Sequence, residues 1–510
     1  MKKYIILFAA AVLGASCTKL LNQDPTSNPS TEDLAKVDPD KLATPLLSAA
    51  VMGLHTSGGG TQFVGYKDMM LNLDLIGNDM VLQVGGGGGW FAPQYTLASY
   101  RGQDDLLPSY IWSRMYQYIY GANQTMEFVN IEAMPTELLK AKAKYVTAQA
   151  LTLRAFSYYH LICLFQNAYL PYVKQNNDLL GVPFYTSTTE GAKGRGKAVD
   201  VYANILQDCR DAISNFEEAL RYFSENHIDV SDSKEAISIY VTYMTLARTA
   251  LTMGDFTAAA SAAGKVIDEF GLMGEAEAKA NGFQKLESTD AIWGYKFANS
   301  TSNGRSSFCS HISTSAVGYG GNGGGYKMID ERLYKKINPT DWRSDLYYAV
   351  PTPITYDDGT TVNTVTVPAY CNAKFNTDGT YNADEVYMRA AEAYFIKAEA
   401  LASASAPDYN GAQQTLYNII SDRDPSYTKS TATGQALIDE IRLQKRIEMW
   451  GEGLEYFDNK RTDTGINRAS STNHQNLSVV PAGKDFTLRL PRTTEIERNP
   501  HISAADQNPL

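Results

Sequence analysis

The sequence predicts a mainly α-helical fold, built as a stack of helix pairs with long loops and a few short strands inserted between them. Much of the chain places apolar residues three and four positions apart, which gathers them on one face of an α-helix. Short turns join several of these segments, as in antiparallel helix pairs. The segments with this spacing are Ile111–Val129, Leu138–Phe165, Val199–Phe223, Ser233–Met253, Phe256–Phe270, Glu385–Ala402, Tyr409–Ile420 and Ala436–Trp450.

The clearest helix pair occupies residues 240–267, YVTYMTLARTALTMGDFTAAASAAGKVI. Gly254-Asp255 provides the turn, and small residues allow the two helices to approach closely. These small residues are Ala247, Ala250, Ala259 and Ala263. The pair resembles a tetratricopeptide repeat, which must stack on its neighbours to bury its inner face. Residues 394–420 have the same arrangement of two helical segments joined by a turn, with Pro407-Asp408 near the turn.

Three long stretches lack helical periodicity. Residues 57–103 contain five consecutive glycines, Gly85–Gly89, and residues 300–326 are mostly Gly, Ser, Thr and Asn. Residues 352–374 include alternating Thr and Val, which is typical of a short hairpin. Structureless segments of this length are uncommon inside a compact domain and tend to be functional. We therefore expect the binding site in the loops at about 57–103 and 300–326.

The first sixteen residues have the features of an export signal: Lys2 and Lys3, an apolar run, and small residues before Cys17. The run is too short to span a membrane. Small residues directly before a cysteine resemble the lipobox of bacterial lipoproteins, in which Cys17 would carry the lipid. Ordinary signal-peptidase cleavage is the alternative. Residues 17–40 are polar and read as a tether, which leaves residues 41–510 as one domain.

Composition excludes some functions and leaves others open. The formal net charge of -11 disfavours a nucleic-acid partner. Besides Cys17 the chain has four cysteines, with no CxxC pair and no zinc-type spacing, so they form a disulfide or remain buried thiols. These cysteines are Cys163, Cys209, Cys309 and Cys371. The 33 tyrosines suit a binding surface, although most will pack between helices.

Catalytic and cofactor motifs are missing from the sequence. GAKGRGKA, residues 191–198, lacks the Ser or Thr that a phosphate-binding loop needs after its lysine. The six histidines form no HExxH motif, and His160 reads as a packed helical residue. The acid pairs Asp104-Asp105 and Asp357-Asp358 could serve a glycosidase only at the right separation, and solvated loop acids are the simpler interpretation. We therefore predict a protein without catalysis or cofactor and assign no metal ligand, and the sequence leaves open whether a metal ion braces the loops.

Five segments, read in order, resemble the SusD/RagB outer-membrane nutrient-binding lipoproteins of Bacteroidetes. They are CTKLLNQDP; IWSRMYQYIYGANQTME; KAKYVTAQALTLRAFSYYHLICLFQNAYLPY; YMRAAEAYFIKAEALA with IRLQKRIEMWGEGLEYFDNKRT; and RLPRTTEIERNP with the closing QNP. From their residue types and spacing, we expect the residues at these positions to hold the scaffold together. Trp112 and Tyr116 would pack as an i, i+4 pair, and charged residues at helical spacing would form partly buried ion pairs. The latter are Arg154, Arg442, Arg446, Glu448 and Glu452.

The resemblance implies an α-α superhelix of tetratricopeptide-like pairs whose loops build the ligand face. It implies capture of an oligosaccharide, or of a peptide in some members, for delivery to a TonB-dependent transporter. The lipid on Cys17 would hold the protein to the outer membrane, and exposure at the cell surface is inferred from the family. A surface glycosidase on the same scaffold is the third hypothesis.

A sugar receptor needs flat aromatic side chains beside polar groups. The first predicted site lies on the early loop: Trp90, Phe91 and Tyr95, preceded by Asn78 and Asp79. The alternative for Trp90 is that it packs the loop against the scaffold. A second grouping, in GYGGNGGGY, contains Tyr319, Asn322 and Tyr326, and it could instead contact a transporter. For Trp293, in a predicted short strand, core packing is favoured.

Overall fold

The computed structural model describes residues 31–55, 61–297 and 305–509. The export signal, Cys17 and the first part of the predicted tether lie outside these ranges. The end of the predicted tether packs on the helical body: the Asn130 N–H donates to the Ala35 carbonyl at 3.0 Å, and Pro39 is buried. No helix in the described ranges is long and apolar enough to cross a bilayer.

Helices dominate the structure, as the sequence predicts. In the first half of the chain they are α1 (Thr31–Leu34), α2 (Ala43–Met52), α3 (Tyr66–Ile76), α4 (Ala92–Tyr95), α5 (Leu106–Glu127), α6 (Glu137–Phe165), α7 (Ala198–Glu225), α8 (Ile239–Met253) and α9 (Phe256–Ile267). In the second half they are α10 (Glu275–Lys279), α11 (Phe308–Ile312), α12 (Glu331–Tyr334), α13 (Ala390–Ser403), α14 (Tyr409–Arg423), α15 (Gly434–Glu448) and α16 (Glu455–Arg461).

The strands form two-stranded antiparallel sheets. They are β1 (Met80–Leu82) with β3 (Lys327–Ile329), β2 (Ala291–Tyr295) with β6 (Glu385–Arg389), β4 (Thr352–Asp357) with β5 (Val362–Val367), and β7 (Ile466–Asn467) with β8 (Val479–Val480). The β4–β5 pair confirms the predicted hairpin. Residues 385–389 correct a prediction, because they pair with β2 and the helix begins only at Ala390.

Helix pairs stack through small side chains. Helices α8 and α9 pack on each other and then on α13, which packs on α14 and α15. Gly254, in the left-handed conformation at φ 75°, ends α8, and the Asp255 carboxylate caps α9 by accepting the Ala258 N–H. The predicted turn is therefore confirmed. Ala247 and Ala263 are fully buried between the helices.

The core has two large parts. The first fills the helical scaffold and contains Trp112, Phe156 and Trp293. The second lies beneath the long loops and contains Phe308, Trp342 and Trp450. Helix α3 runs between them with every residue buried. It corrects the prediction of an irregular segment there, since a helix buried on all sides has no polar face and shows no apolar periodicity.

Four cysteines lie in the described ranges, and all four are free thiols in the interior: Cys163, Cys209, Cys309 and Cys371. Burial raises the pKa of the Cys163 thiol to about 12, and it raises the pKa of the other three as well. A thiol is unreactive when it stays protonated and inaccessible.

Candidate functional site

The two glycine-rich segments predicted as ligand loops lie side by side, although more than two hundred residues separate them in the chain. Strand β1 pairs with β3, with Met80 opposite Ile329. Beyond the strands the contact continues: the Gly87 N–H donates to the Gly323 carbonyl at 2.7 Å. The two loops therefore form one continuous surface.

Glycine permits this contact because the two backbones touch directly. A Cβ atom on Gly86 would lie 1.9 Å from the Gly324 carbonyl oxygen, and one on Gly87 would lie 2.9 Å from the Cα atom of Gly325. Distances this short cannot accommodate a side chain. These glycines therefore allow the backbone of the partner loop to approach closely.

Trp90 and Tyr319 meet where the two loops join. Their ring centroids are 6.2 Å apart at an interplanar angle of 80°, an edge-to-face contact. Both side chains are half-buried. The guanidinium carbon of Arg305, an exposed residue, lies 5.0 Å from the centre of the Tyr319 ring. We call Trp90, Arg305, Tyr319 and Asn322 the aromatic patch.

Two polar atoms of the aromatic patch lack a hydrogen-bond partner among the described residues. They are Nε1 of Trp90, which can only donate, and Oδ1 of Asn322, which can only accept. An unpaired buried polar group costs about 1–3 kcal/mol, so such groups are expected where a partner arrives from outside the chain. Sugar hydroxyls both donate and accept, and so match both atoms.

Phe91, Tyr95 and Tyr326 lie in the core beneath the aromatic patch, although the sequence grouped them with the ligand residues. Phe91 and Tyr95 are fully buried, and Tyr326 is 6 % exposed. The Tyr95 hydroxyl lies 3.0 Å from Nδ1 of His474. Because these rings face the interior, we leave them out of the proposed ligand face.

His311 and Lys327 support the patch from below, and no sequence pattern pointed to either residue. The His311 ring stacks on Tyr319 at 5.1 Å, and burial lowers the pKa of His311 to about 3, so the ring is neutral. Lys327 donates to the Gly325 carbonyl at 3.0 Å, and burial lowers the pKa of its ammonium group to about 7. The glycine loops thus rest on buried polar groups.

Comparison with known families supports the sequence resemblance. Residues 289–499 match the model described as the SusD family, and residues 91–246 match a model described as starch-binding and associating with the outer membrane. Together these segments cover more than half of the chain. The chain belongs to the SusD/RagB family.

A curated relative of this SusD-family chain is the SusD-like protein P2 of Formosa agariphila, which is 29 % identical over 269 residues, or 52 % of this chain and 46 % of the relative. The chain thus spans about half the length of the curated relative that it matches.

Two solved structures show that the SusD-like fold extends over nearly the whole chain. The SusD-like carbohydrate-binding protein from Bacteroides vulgatus has a TM-score of 0.76 at 22 % identity, with 93 % of this chain and 98 % of that one covered. Surface glycan-binding protein A from Bacteroides thetaiotaomicron, solved with laminarihexaose, has a TM-score of 0.66 at 15 % identity, with 92 % and 99 % covered.

Residues that mark the SusD family hold the scaffold together. Trp112 and Tyr116 pack with their ring centroids 5.0 Å apart. Arg154 forms a two-bond pair with Asp208, at 2.7 and 2.8 Å. Arg442 pairs with Glu399 at 2.7 Å. These contacts confirm the predicted ion pairs. The same residues are bonded within the scaffold and do not belong to the ligand face.

Asn78 and Asp79 lie in a different place, a polar cleft beside α12 and α15. Nε of Arg446 donates to the Asp79 carboxylate at 2.8 Å. The Asn78 side chain accepts the Asn467 N–H at 2.6 Å. Both side chains are already bonded to the protein, so they hold loops in position and we leave them out of the aromatic patch.

The acid pairs considered for a glycosidase are engaged in local structure. Asp105 accepts the N–H of Gly102 at 2.6 Å, and Asp104 pairs with Arg492 at 2.7 Å. In the hairpin turn, Asp357 accepts the Gly359 N–H and Asp358 the Thr360 N–H, each at 2.9 Å. Within the described ranges no group of three or more His, Cys, Asp or Glu side chains is arranged to hold a metal ion.

Proposed function

We propose that this SusD-family protein captures oligosaccharides at the cell surface and passes them to a TonB-dependent outer-membrane transporter, without breaking any bond in the sugar. Acyl chains on Cys17 would anchor it, since two or more chains give lasting attachment to a bilayer. The observation that carries the proposal is the aromatic patch: Trp90 and Tyr319 come from distant parts of the chain and meet at the surface.

The chemistry of the patch suits a sugar ring. The C–H faces of the ring pack against an aromatic side chain, and the hydroxyl rim pairs with donors and acceptors. Nε1 of Trp90 and Oδ1 of Asn322 are a buried donor and a buried acceptor without a partner among the described residues, and a small shift of the loops would be needed to present them to a ligand. Relatives support this ligand class, because solved structures of similar fold include a protein bound to laminarihexaose and one named as laminarin-binding.

Truncation of Trp90 tests the proposal. We expect Trp90→Ala to weaken the binding of a captured oligosaccharide by about 1–3 kcal/mol, the typical effect of removing a central aromatic contact. Isothermal titration calorimetry with laminarihexaose provides the first measurement. Tyr120→Ala is the matched control, since Tyr120 is an aromatic residue on α5 with 53 % of its surface exposed.

Unchanged affinity in Trp90→Ala, for an oligosaccharide that the native protein binds, would contradict the assignment of the aromatic patch. An equal loss in Tyr120→Ala would show that the effect is not local. Thermal unfolding of both variants shows whether either change acts through the fold.

A further inference from the structure

We infer that the aromatic patch selects an anionic glycan, one that carries carboxylate or sulfate groups, and that Arg305 is the residue that pairs with the anion. This inference rests on the proposed function and adds the charge of the ligand to it.

Arg305 is an exposed cation without an ion-pair partner among the described carboxylates. Within the part of the chain that the structure describes, its guanidinium carbon lies 5.0 Å from the centroid of the Tyr319 ring. Stacking on an aromatic ring restrains the guanidinium group and leaves its N–H edge available for bidentate pairing. The other arginines near the loops are engaged, as Arg332 is with Asp330.

A second cation lies beneath the same loops. Lys327 is buried, and its ammonium group is bonded to the Gly325 carbonyl and lies 5.0 Å from the centre of the Phe91 ring. Asp68 lies near it on α3. Burial raises the pKa of the Asp68 carboxyl group well above its usual value and lowers the pKa of Lys327 to about 7, so the charges of both groups are weakened. Arg305 is therefore the cation of the patch that remains fully charged.

No described carboxylate belongs to the patch itself. Asp378 lies in a nearby turn, where the Gly379 carbonyl accepts the Val317 N–H. Its carboxylate forms hydrogen bonds within this turn, because one of its oxygens accepts both the N–H and the hydroxyl of Thr380. Neutral sugars gain from carboxylate acceptors for their hydroxyls, and this patch offers a guanidinium group instead. A planar guanidinium group matches the geometry of a carboxylate or a sulfate.

The experiment compares ligands that differ only in charge. Hexagalacturonate is paired with its methyl ester, and sulfated laminarihexaose is paired with laminarihexaose, so the two pairs separate a carboxylate source from a sulfate source. Calorimetry is performed on the full chain with native Arg305, Arg305→Gln and Arg305→Lys, at low and at high salt. Arg210→Gln is the control, since Arg210 is exposed on α7 and forms no ion pair with a described residue.

We expect one charged ligand to bind at least ten-fold more tightly than its neutral partner, and salt to reduce that preference. Arg305→Gln should remove most of the preference, Arg305→Lys should restore only part of it, and Arg210→Gln should leave it intact.

Equal or tighter binding of both neutral ligands, still sensitive to Trp90→Ala, would overturn the anionic selectivity and leave the proposed function standing. A preference for charge that survives in Arg305→Gln would overturn the assignment of Arg305. If none of the four ligands binds, the proposed function itself is contradicted. Binding that is unchanged in Trp90→Ala would contradict the assignment of the aromatic patch, and with it this inference.

Discussion

At the scale of single residues, the carboxyl group of the half-buried Glu455 holds the segment leading into β1. It accepts the backbone N–H groups of Asn78 at 2.6 Å and Asp79 at 3.0 Å. Burial and the nearby charge of Asp79 raise the pKa of Glu455 to about 7. Folding therefore favours the protonated form of this side chain.

This pKa gives a pH-dependent prediction. Between pH 7 and 4.5 the folded protein binds a proton at Glu455 that the unfolded chain does not, so this group contributes more stability as the pH falls. The free energy of unfolding of the native chain, minus that of Glu455→Gln, should rise on acidification through this window, by at most about 1.4 kcal/mol per pH unit. Denaturant titrations from pH 8 to 5 measure it, and parallel curves for the two proteins would contradict it.

Residues with local roles could be predicted from the sequence, and residues with distant partners could not. The spacing of Trp112 and Tyr116 was enough to predict their contact, and the apolar neighbours of Trp293 were enough to place it in the core, where it is fully buried. His160 lies in the core as predicted, with Nδ1 2.7 Å from the Phe156 carbonyl. Arg305 was missed because its partner, Tyr319, is fixed by the tertiary structure.

At the scale of elements, periodicity predicted the helices that have one buried face. It failed for α3, which is buried on all sides, and for β6, whose five buried residues run directly into α13. Composition located both glycine-rich loops. The pairing of β1 with β3, which brings them together, is a contact between distant segments, and a single sequence carries no signal for it.

The contact between the loops predicts the effect of Gly86→Ala. Gly86 has an ordinary extended backbone, at φ -87°, so the added methyl group acts only through its collision with the Gly324 carbonyl. We expect a loss of about 1–3 kcal/mol in the free energy of unfolding, as for other overpacked sites, together with weaker oligosaccharide binding. Calorimetry and thermal unfolding measure the two effects.

Gly191→Ala is the matched control for this change, because a Cβ atom at Gly191 would meet nothing within 4 Å. Native-like stability and binding in Gly86→Ala would show that the loops tolerate separation, and the described contact would then not be needed for the patch.

At the scale of the whole molecule, α15 connects the two large parts of the core. Leu437 and Ile441 pack in the scaffold part, and Ile447 packs beneath the loops. Between them Glu448 accepts hydrogen bonds from three arginines, which hold the pKa of its carboxyl group well below the usual range. The arginines are Arg343, Arg389 and Arg423.

Removal of this charge should destabilise the entire domain. Glu448→Gln leaves the three buried guanidinium groups undercompensated, and the loss of one partner from a buried ion pair typically costs about 3–5 kcal/mol. Equilibrium denaturation measures the change. Glu137→Gln is the control, because Glu137 pairs with Lys140 on the surface at 2.8 Å and should change stability by less than about 1 kcal/mol. Equal effects in the two variants would refute a special role for Glu448.

The four interior thiols have a practical consequence. In the described part of the chain, maleimide reagents find no accessible thiolate at Cys163, Cys209, Cys309 or Cys371. A cysteine introduced at an exposed position such as Arg210 would then react selectively, and a single fluorophore attached there could report the arrival of cargo or of a transporter in real time. These four cysteines would not have to be removed, so the interior packing that supports the loops would stay intact.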